Sequence, residues 1–196
     1  PQISLSNSDA YQSLIDWNKY ANPDVRPGTV EFGITSLTLN VTQICNLKCN
    51  YCAAGGDGTY GEPINKVSVE KTLPQLKFFL ENLKNNSVFN LSFVGGEPFL
   101  YPEAMKVIYD YVLLQTAGRN IDCRFMVTTN GTLITDKVLE MLKNMKIHIT
   151  VSLDGVAEIN DVVRPSKDGK SSTAATLHGL TQLSKIKDSL GSIGIA

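Results

Sequence analysis

Short segments with the two-residue period of a β-strand alternate with longer segments of helical period from Ser36 to Ala196. The strand segments lie at residues 36–42, 91–94, 124–128, 147–153 and 192–196. Helical patterns lie within residues 68–85, at 102–115, after Thr135 and at 173–187. The third pattern has Leu139, Leu142 and Met145 on one face, and the fourth has Leu177, Leu180 and Leu183. Strands that are separated by helices pair in parallel through right-handed crossovers. The order of the segments therefore predicts an α/β fold built on a parallel sheet.

Two of the predicted strands alternate between apolar and polar side chains. Leu37, Leu39 and Val41 are the apolar residues of the first, and His148, Thr150 and Ser152 are polar residues of the fourth. A polar face is costly to bury without partners, so we expect it to line a cavity that holds a ligand. We predict a partial (β/α) TIM-like barrel at residues 36–196, incomplete at the C-terminus because the fifth strand has only begun. Residues 1–35 are expected to form a small preface with a short helix and a turn.

The composition is that of a folded domain. Of the 196 residues, 42% are hydrophobic and 19% are charged, and the net charge is −1. This balance excludes disorder as the main state and argues against a nucleic-acid or membrane-surface partner. No apolar run reaches the length of a membrane span, and the first four residues do not form a secretory leader. We therefore expect a cytoplasmic location, with the cysteines reduced.

Three of the four cysteines fall close together, at Cys45, Cys49 and Cys52, whereas Cys123 stands alone at the start of a predicted strand. Three thiolates at this spacing can hold three irons of a [4Fe–4S] cluster and leave the fourth iron open to a ligand. Structural zinc prefers four closed ligands, and no fourth cysteine or histidine lies nearby. A disulfide would leave one of the three thiols unpaired. The cluster is the preferred interpretation, and Cys123 is expected to be a core residue.

Four successive strand ends carry polar residues or glycines. In parallel α/β folds ligands bind at the carboxyl ends of the strands, so these four loops should share one rim. The first loop contains the three cysteines, and a glycine-rich run at residues 55–61 follows it as an expected cover. The other loops are Gly95-Gly96-Glu97-Pro98, Thr128-Thr129-Asn130-Gly131 and Ser152-Leu153-Asp154-Gly155.

The cysteine loop, with Tyr51 directly before its last cysteine, resembles the radical S-adenosylmethionine (SAM) enzymes. The segment Gly95-Gly96-Glu97-Pro98 matches the methionine-binding segment of that superfamily. The segments that begin at Thr129 and Ser152 are similar to those of the SPASM-type branch, which contains ribosomal-peptide maturases and sulfatase maturases. The resemblance runs from about Ser36 to the end of the chain.

The resemblance implies a role for each candidate residue. Cys45, Cys49 and Cys52 would ligate the cluster, and the amino and carboxylate groups of SAM would chelate the open iron. Glu97 would accept the methionine ammonium, while Gly95 and Gly96 would let the backbone approach the ligand. Tyr51 would lie near adenine, Asn130 and Ser152 would contact the ribose or the carboxylate, and Arg164 could pair with the SAM carboxylate. Simpler interpretations remain open: Tyr51 as a packing aromatic, Asn130-Gly131 as a turn pair, Arg164 as a solvated arginine and Asp154 as a turn residue.

The function that the resemblance implies is reductive cleavage of SAM to a 5′-deoxyadenosyl radical, which abstracts hydrogen from a peptide or protein. The product would carry a thioether or carbon–carbon crosslink, and electrons would come from a donor such as a flavodoxin or ferredoxin. Related maturases often hold auxiliary iron–sulfur clusters in a cysteine-rich C-terminal extension, which residues 1–196 do not include. Two alternatives are a sulfatase-type maturase that oxidises Cys or Ser, and an iron–sulfur electron carrier without SAM chemistry.

Overall fold

The computed structural model describes residues 33–52, 54 and 64–196. From Ile34 onwards these residues belong to one compact unit. The predicted helix of the preface and the glycine-rich run at 55–61 lie outside the described residues. The boundary predicted between residues 35 and 36 stays a prediction.

Five strands and five α-helices make up the described part of the chain. The strands are β1 (Ser36–Thr42), β2 (Val88–Gly95), β3 (Asp122–Thr129), β4 (Ile147–Val151) and β5 (Ser192–Ile195). The helices are α1 (Val69–Glu81), α2 (Pro102–Thr116), α3 (Asp136–Lys143), α4 (Ala157–Val163) and α5 (Ser172–Ser184). Short 3₁₀ turns occupy Pro98–Leu100 and Lys187–Ser189.

The sheet has the strand order β1-β2-β3-β4-β5, and every neighbouring pair is parallel. Leu91 in the second strand pairs with Leu37 on one side and with Phe125 on the other. The order of the strands in the sheet is the same as their order in the chain. This is the arrangement of a barrel wall, whereas the strand order of a doubly wound sheet reverses at one point. The parallel α/β architecture predicted from the sequence is confirmed.

The apolar face of the sheet forms the core with α1, α2 and α3. Phe93, Phe125 and Ile147 are buried in it, together with Met105 and Leu142 from the helices. Burial of each such side chain stabilises the fold by about 1.5–3 kcal/mol. The predicted alternation in β1 and β4 is confirmed by their burial patterns. Cys123 is half-buried against this core, as expected.

Several boundaries and one helix face differ from the prediction. Helix α4 was not predicted, because it is only seven residues long and its N-cap Val156 makes no side-chain capping bond. Met145 lies beyond the end of α3, although it is fully buried. Leu177 is 49% exposed, because α5 turns its small residues Thr176 and Gly179 inward. No helix in the part of the chain that the structure describes is long and apolar enough to cross a membrane.

Candidate functional site

A cavity of about 320 Å³ opens at the carboxyl ends of the strands. Its lining comes from the cysteine loop and from the ends of β2, β3 and β4, as the strand-end argument predicts. Among the described residues that line it are Cys45, Cys49, Tyr51, Cys52, Gly95, Gly96, Asn130, Ser152 and Arg164. The fold therefore brings together nine of the ten predicted site residues, and Glu97 lies directly behind them.

The cysteine loop has little regular secondary structure, yet backbone hydrogen bonds fix its course. The amides of Lys48 and Asn50 donate to the carbonyls of Pro165 and Val163 at 3.0 and 2.9 Å. The amide of Lys167 donates in return to the carbonyl of Asn46 at 3.1 Å. The end of α4 and the segment after it thus hold the loop along one side, so its thiols have a defined position in the fold.

The glycine pair approaches the cysteine loop on its other side. The amides of Gly96 and Glu97 donate to the carbonyls of Thr42 and Ile44 at 2.6 and 2.9 Å. A Cβ added to Gly96 would lie 2.4 Å from the Ile44 oxygen, closer than real contacts allow. Position 96 therefore requires glycine because of its contact with the start of the cysteine loop. The approach of a ligand to the backbone of Gly96 would be a second reason.

Two polar groups offset part of the effect of burial on the cysteine thiols. Burial raises the pKa of Cys45 and of Cys49, while the Leu47 amide near Cys45 and the Arg164 guanidinium near Cys49 oppose that rise. These two groups favour the thiolates that bind iron. Within the described ranges, no three Cys, His, Asp or Glu side chains converge as a single metal ion would require. A [4Fe–4S] cluster requires a looser convergence of the thiols, because each cysteine ligates a different iron.

The Glu97 carboxylate is completely buried, and the chain supplies three donors to it. Oε1 accepts from the Phe99 amide at 3.0 Å and from the Thr129 hydroxyl at 2.8 Å, and Oε2 accepts from the Asn130 amide at 2.8 Å. Burial raises the pKa of Glu97, and these hydrogen bonds oppose the rise. A carboxylate has about four lone-pair sites, so one site on Oε2 remains. The carboxylate therefore joins the glycine segment to the end of β3, a role that the sequence did not reveal.

Tyr51, Asp154 and Arg164 form a polar group at the mouth of the cavity. The Tyr51 hydroxyl donates to an Asp154 carboxylate oxygen and accepts from the Arg164 guanidinium at 2.6 Å. The Arg164 side chain is only 11% exposed, so it is not a solvated surface arginine. The Tyr51 residue is 55% exposed, so it is not a packed core aromatic. Asp154, interpreted from the sequence as a turn residue, belongs to this group.

The comparisons with known proteins agree with this geometry. Residues 39–195 match the Radical SAM superfamily. The chain belongs to that superfamily. Membership of the superfamily implies a [4Fe–4S] cluster and SAM as the cofactors.

Three relatives illustrate the range of similar proteins. An uncharacterised protein of Methanocaldococcus jannaschii is 38% identical over 76% of this chain and 48% of its own length. The antilisterial bacteriocin subtilosin biosynthesis protein AlbA of Bacillus subtilis is 34% identical over 71% of this chain and 29% of its own length. The serine-type anaerobic sulfatase-maturating enzyme of Bacteroides thetaiotaomicron is 32% identical over 74% of this chain and 35% of its own length. The relatives named for bacteriocin biosynthesis and for sulfatase maturation support a place in the SPASM-type branch. The chain spans half or less of the length of each of the three relatives.

The fold is shared with a solved structure, anSMEcpe with bound AdoMet and the Cp18Cys peptide. The TM-score is 0.64 at 23% sequence identity, and the match covers 82% of this chain and 42% of that one. The likeness confirms the open α/β architecture as that of radical SAM structures.

Proposed function

We propose that this radical SAM domain binds its cluster through Cys45, Cys49 and Cys52 and binds SAM beside them to modify a peptide or protein. The observation that carries the proposal is the shared cavity, into which the cysteine loop and three strand ends converge. When bound, the cluster and SAM would supply the radical chemistry for hydrogen abstraction from the substrate. The chain's own residues position the ligand and exclude water.

Six residues in or directly behind the cavity lining have a proposed task toward SAM. The backbone of Gly95 and Gly96 faces the methionine ammonium, and Glu97 behind them offers the remaining site on Oε2 to it. Arg164, which the Tyr51 hydroxyl and Asp154 orient, pairs with the methionine carboxylate. The exposed ring of Tyr51 lies against adenine, and Ser152 meets the ribose.

The substrate class rests on the maturase relatives. One relative is named for biosynthesis of a bacteriocin, and the structure with the shared fold was solved with a peptide bound. A ribosomally made peptide that receives a thioether or carbon–carbon crosslink is the substrate we propose, with a flavodoxin or ferredoxin as electron donor. The second candidate is a sulfatase-type maturase that oxidises Cys or Ser, which the relative from Bacteroides favours. An electron carrier without SAM chemistry is disfavoured by membership of the superfamily.

The ligand assignment is tested by anaerobic reconstitution of the wild type and of single cysteine variants. We expect about four irons and four sulfides per chain in the wild type. Cys45→Ala, Cys49→Ala and Cys52→Ala should each lose the cluster, and Cys123→Ala is the matched control that should keep it. Stoichiometric zinc with no iron in the wild type, or a full cluster in Cys45→Ala, would refute the assignment.

The substrate assignment needs a separate assay. The full-length reconstituted protein, given SAM and a reductant, should form 5′-deoxyadenosine and change the mass of a candidate precursor peptide. A loss of two hydrogens at a crosslinked pair supports the crosslinking maturase. Oxidation of a Cys or Ser in a sulfatase-derived peptide, without crosslinking, would favour the second candidate.

A further inference from the structure

The side-chain amide of Asn130 lies beside the sulfur of Cys45. Its Nδ2 is 3.8 Å from Cys45 Sγ, within the range of an N–H···S hydrogen bond. Asn130 is 5% exposed and Cys45 is 9% exposed, so water competes little for this contact. The Leu47 amide donates to the same sulfur at 3.4 Å.

A closed ring of three side chains fixes the orientation of this amide. Asn130 Nδ2 donates to Asn46 Oδ1 at 2.9 Å, Asn46 Nδ2 donates to the Thr132 hydroxyl at 2.8 Å, and that hydroxyl donates to Asn130 Oδ1 at 2.7 Å. The Thr132 amide also donates to Asn130 Oδ1, at 2.9 Å. A flipped amide would turn its oxygen toward the sulfur and leave both Thr132 donors without that acceptor. The second hydrogen of Nδ2 therefore points to Cys45.

The backbone of Asn130 is fixed at both ends. Its amide donates to Glu97, and its carbonyl accepts from the Thr176 hydroxyl at 2.8 Å. Behind it, Gly179 lets α5 approach so closely that an added Cβ would lie 1.9 Å from the Gly131 oxygen. The donor is thus held in place by the segments that follow β2 and β3 and by α5.

A hydrogen bond to a ligating sulfur stabilises the more electron-rich, reduced state of an iron–sulfur cluster. The low local dielectric of a buried site strengthens that effect. We propose that Asn130 acts through Cys45 to raise the reduction potential of the cluster, in place of contacting SAM. This inference rests on the proposed ligation of the cluster by Cys45.

The test is a redox titration, monitored by electron paramagnetic resonance, of the reconstituted holoprotein without SAM. Asn130→Ser removes the amide donor, while the serine oxygen can still accept from the Thr132 amide. We expect the midpoint potential to fall by about 30–60 mV, which corresponds to a roughly three- to tenfold change in the reduction equilibrium. The matched control is Asn90→Ser, the same substitution on β2 away from the cavity, which should leave the potential unchanged.

The outcomes separate this inference from the ligand assignment. If Asn130→Ser carries a full complement of iron and has an unchanged midpoint potential, the inference is wrong. If in addition its SAM affinity falls, Asn130 is a SAM contact. Should Asn130→Ser fail to hold a cluster, the same titration on Asn130→Leu, which keeps the branched shape without a donor, decides the question. A cluster retained in Cys45→Ala would instead refute the assignment of Cys45.

Discussion

Replacing Glu97 by glutamine tests whether the buried carboxylate organises the site before SAM binds. The carboxylate accepts hydrogen bonds from three donors at 2.8–3.0 Å. A glutamine has one acceptor oxygen, which can keep the two bonds of Oε1. The side-chain NH2 group of the glutamine then faces the backbone N–H of Asn130. Two hydrogen-bond donors therefore meet at a completely buried position with no acceptor between them.

The magnitude follows from the hydrogen bond that is lost. A buried donor without a partner costs about 1–3 kcal/mol, and the loss of a charge-assisted bond falls in a similar range. Removal of a buried charge offsets part of this cost. We expect a net loss of about 2 kcal/mol in the free energy of unfolding, or about 4–8 °C in Tm for a chain of this size.

The assay is thermal unfolding of the reconstituted protein in the absence of SAM, with a SAM titration in parallel. Iron content should be retained, and SAM affinity should fall ten- to a hundredfold, or about 1.5–3 kcal/mol, if Oε2 also meets the ammonium. Glu140→Gln, on an exposed ion pair of α3, is the matched control and should change stability by less than about 0.5 kcal/mol. An unchanged Tm for SAM-free Glu97→Gln would refute the organising role, whatever happens to SAM affinity.

Three further substitutions probe the site and the core. Gly179→Ala places a Cβ against the Gly131 oxygen and should cost about 1–3 kcal/mol in a denaturation experiment, so an unchanged or raised stability would contradict the close approach of α5. Tyr51→Phe removes the hydroxyl that orients Arg164 and should lower SAM affinity about three- to tenfold by calorimetry, with Tm nearly unchanged, whereas unaltered affinity would remove the hydroxyl from the site. Leu142→Ala empties a fully buried position and should cost about 2–5 kcal/mol in chemical denaturation, and a loss below 1 kcal/mol would show that α3 is not part of the core.

The features that could be predicted from the sequence are those that depend on the periodicity of apolar residues and on the direction of the strands. Alternation along residues 36–42 gave the correct bounds of β1, and the parallel order placed Cys45, Asn130 and Ser152 around one cavity. Both predictions rest on regular backbone geometry, in which the direction of a strand fixes where its last residue lies.

The sequence did not predict contacts between irregular segments. The pairing of residues 46–50 with 163–167 depends on how the chain turns after α4, and no periodic pattern encodes it. The ring of Asn46, Asn130 and Thr132 likewise joins two loops whose spacing is visible only in three dimensions. The burial of Glu97 could not be predicted from a glycine-rich segment that also suits a solvent-facing turn.

The pairing of the cysteine loop with the end of α4 and the segment after it has a consequence for biosynthesis. Asn50 contacts Val162 across a separation of 112 residues. At about 5–20 residues per second, the ribosome delivers that partner roughly 6–22 s after the cysteines have been added. During this interval the cysteine loop lacks the partner that later holds it in place. If these cysteines ligate the cluster as proposed, we expect iron delivery to follow this pairing, and the nascent thiols would need a reducing environment until then.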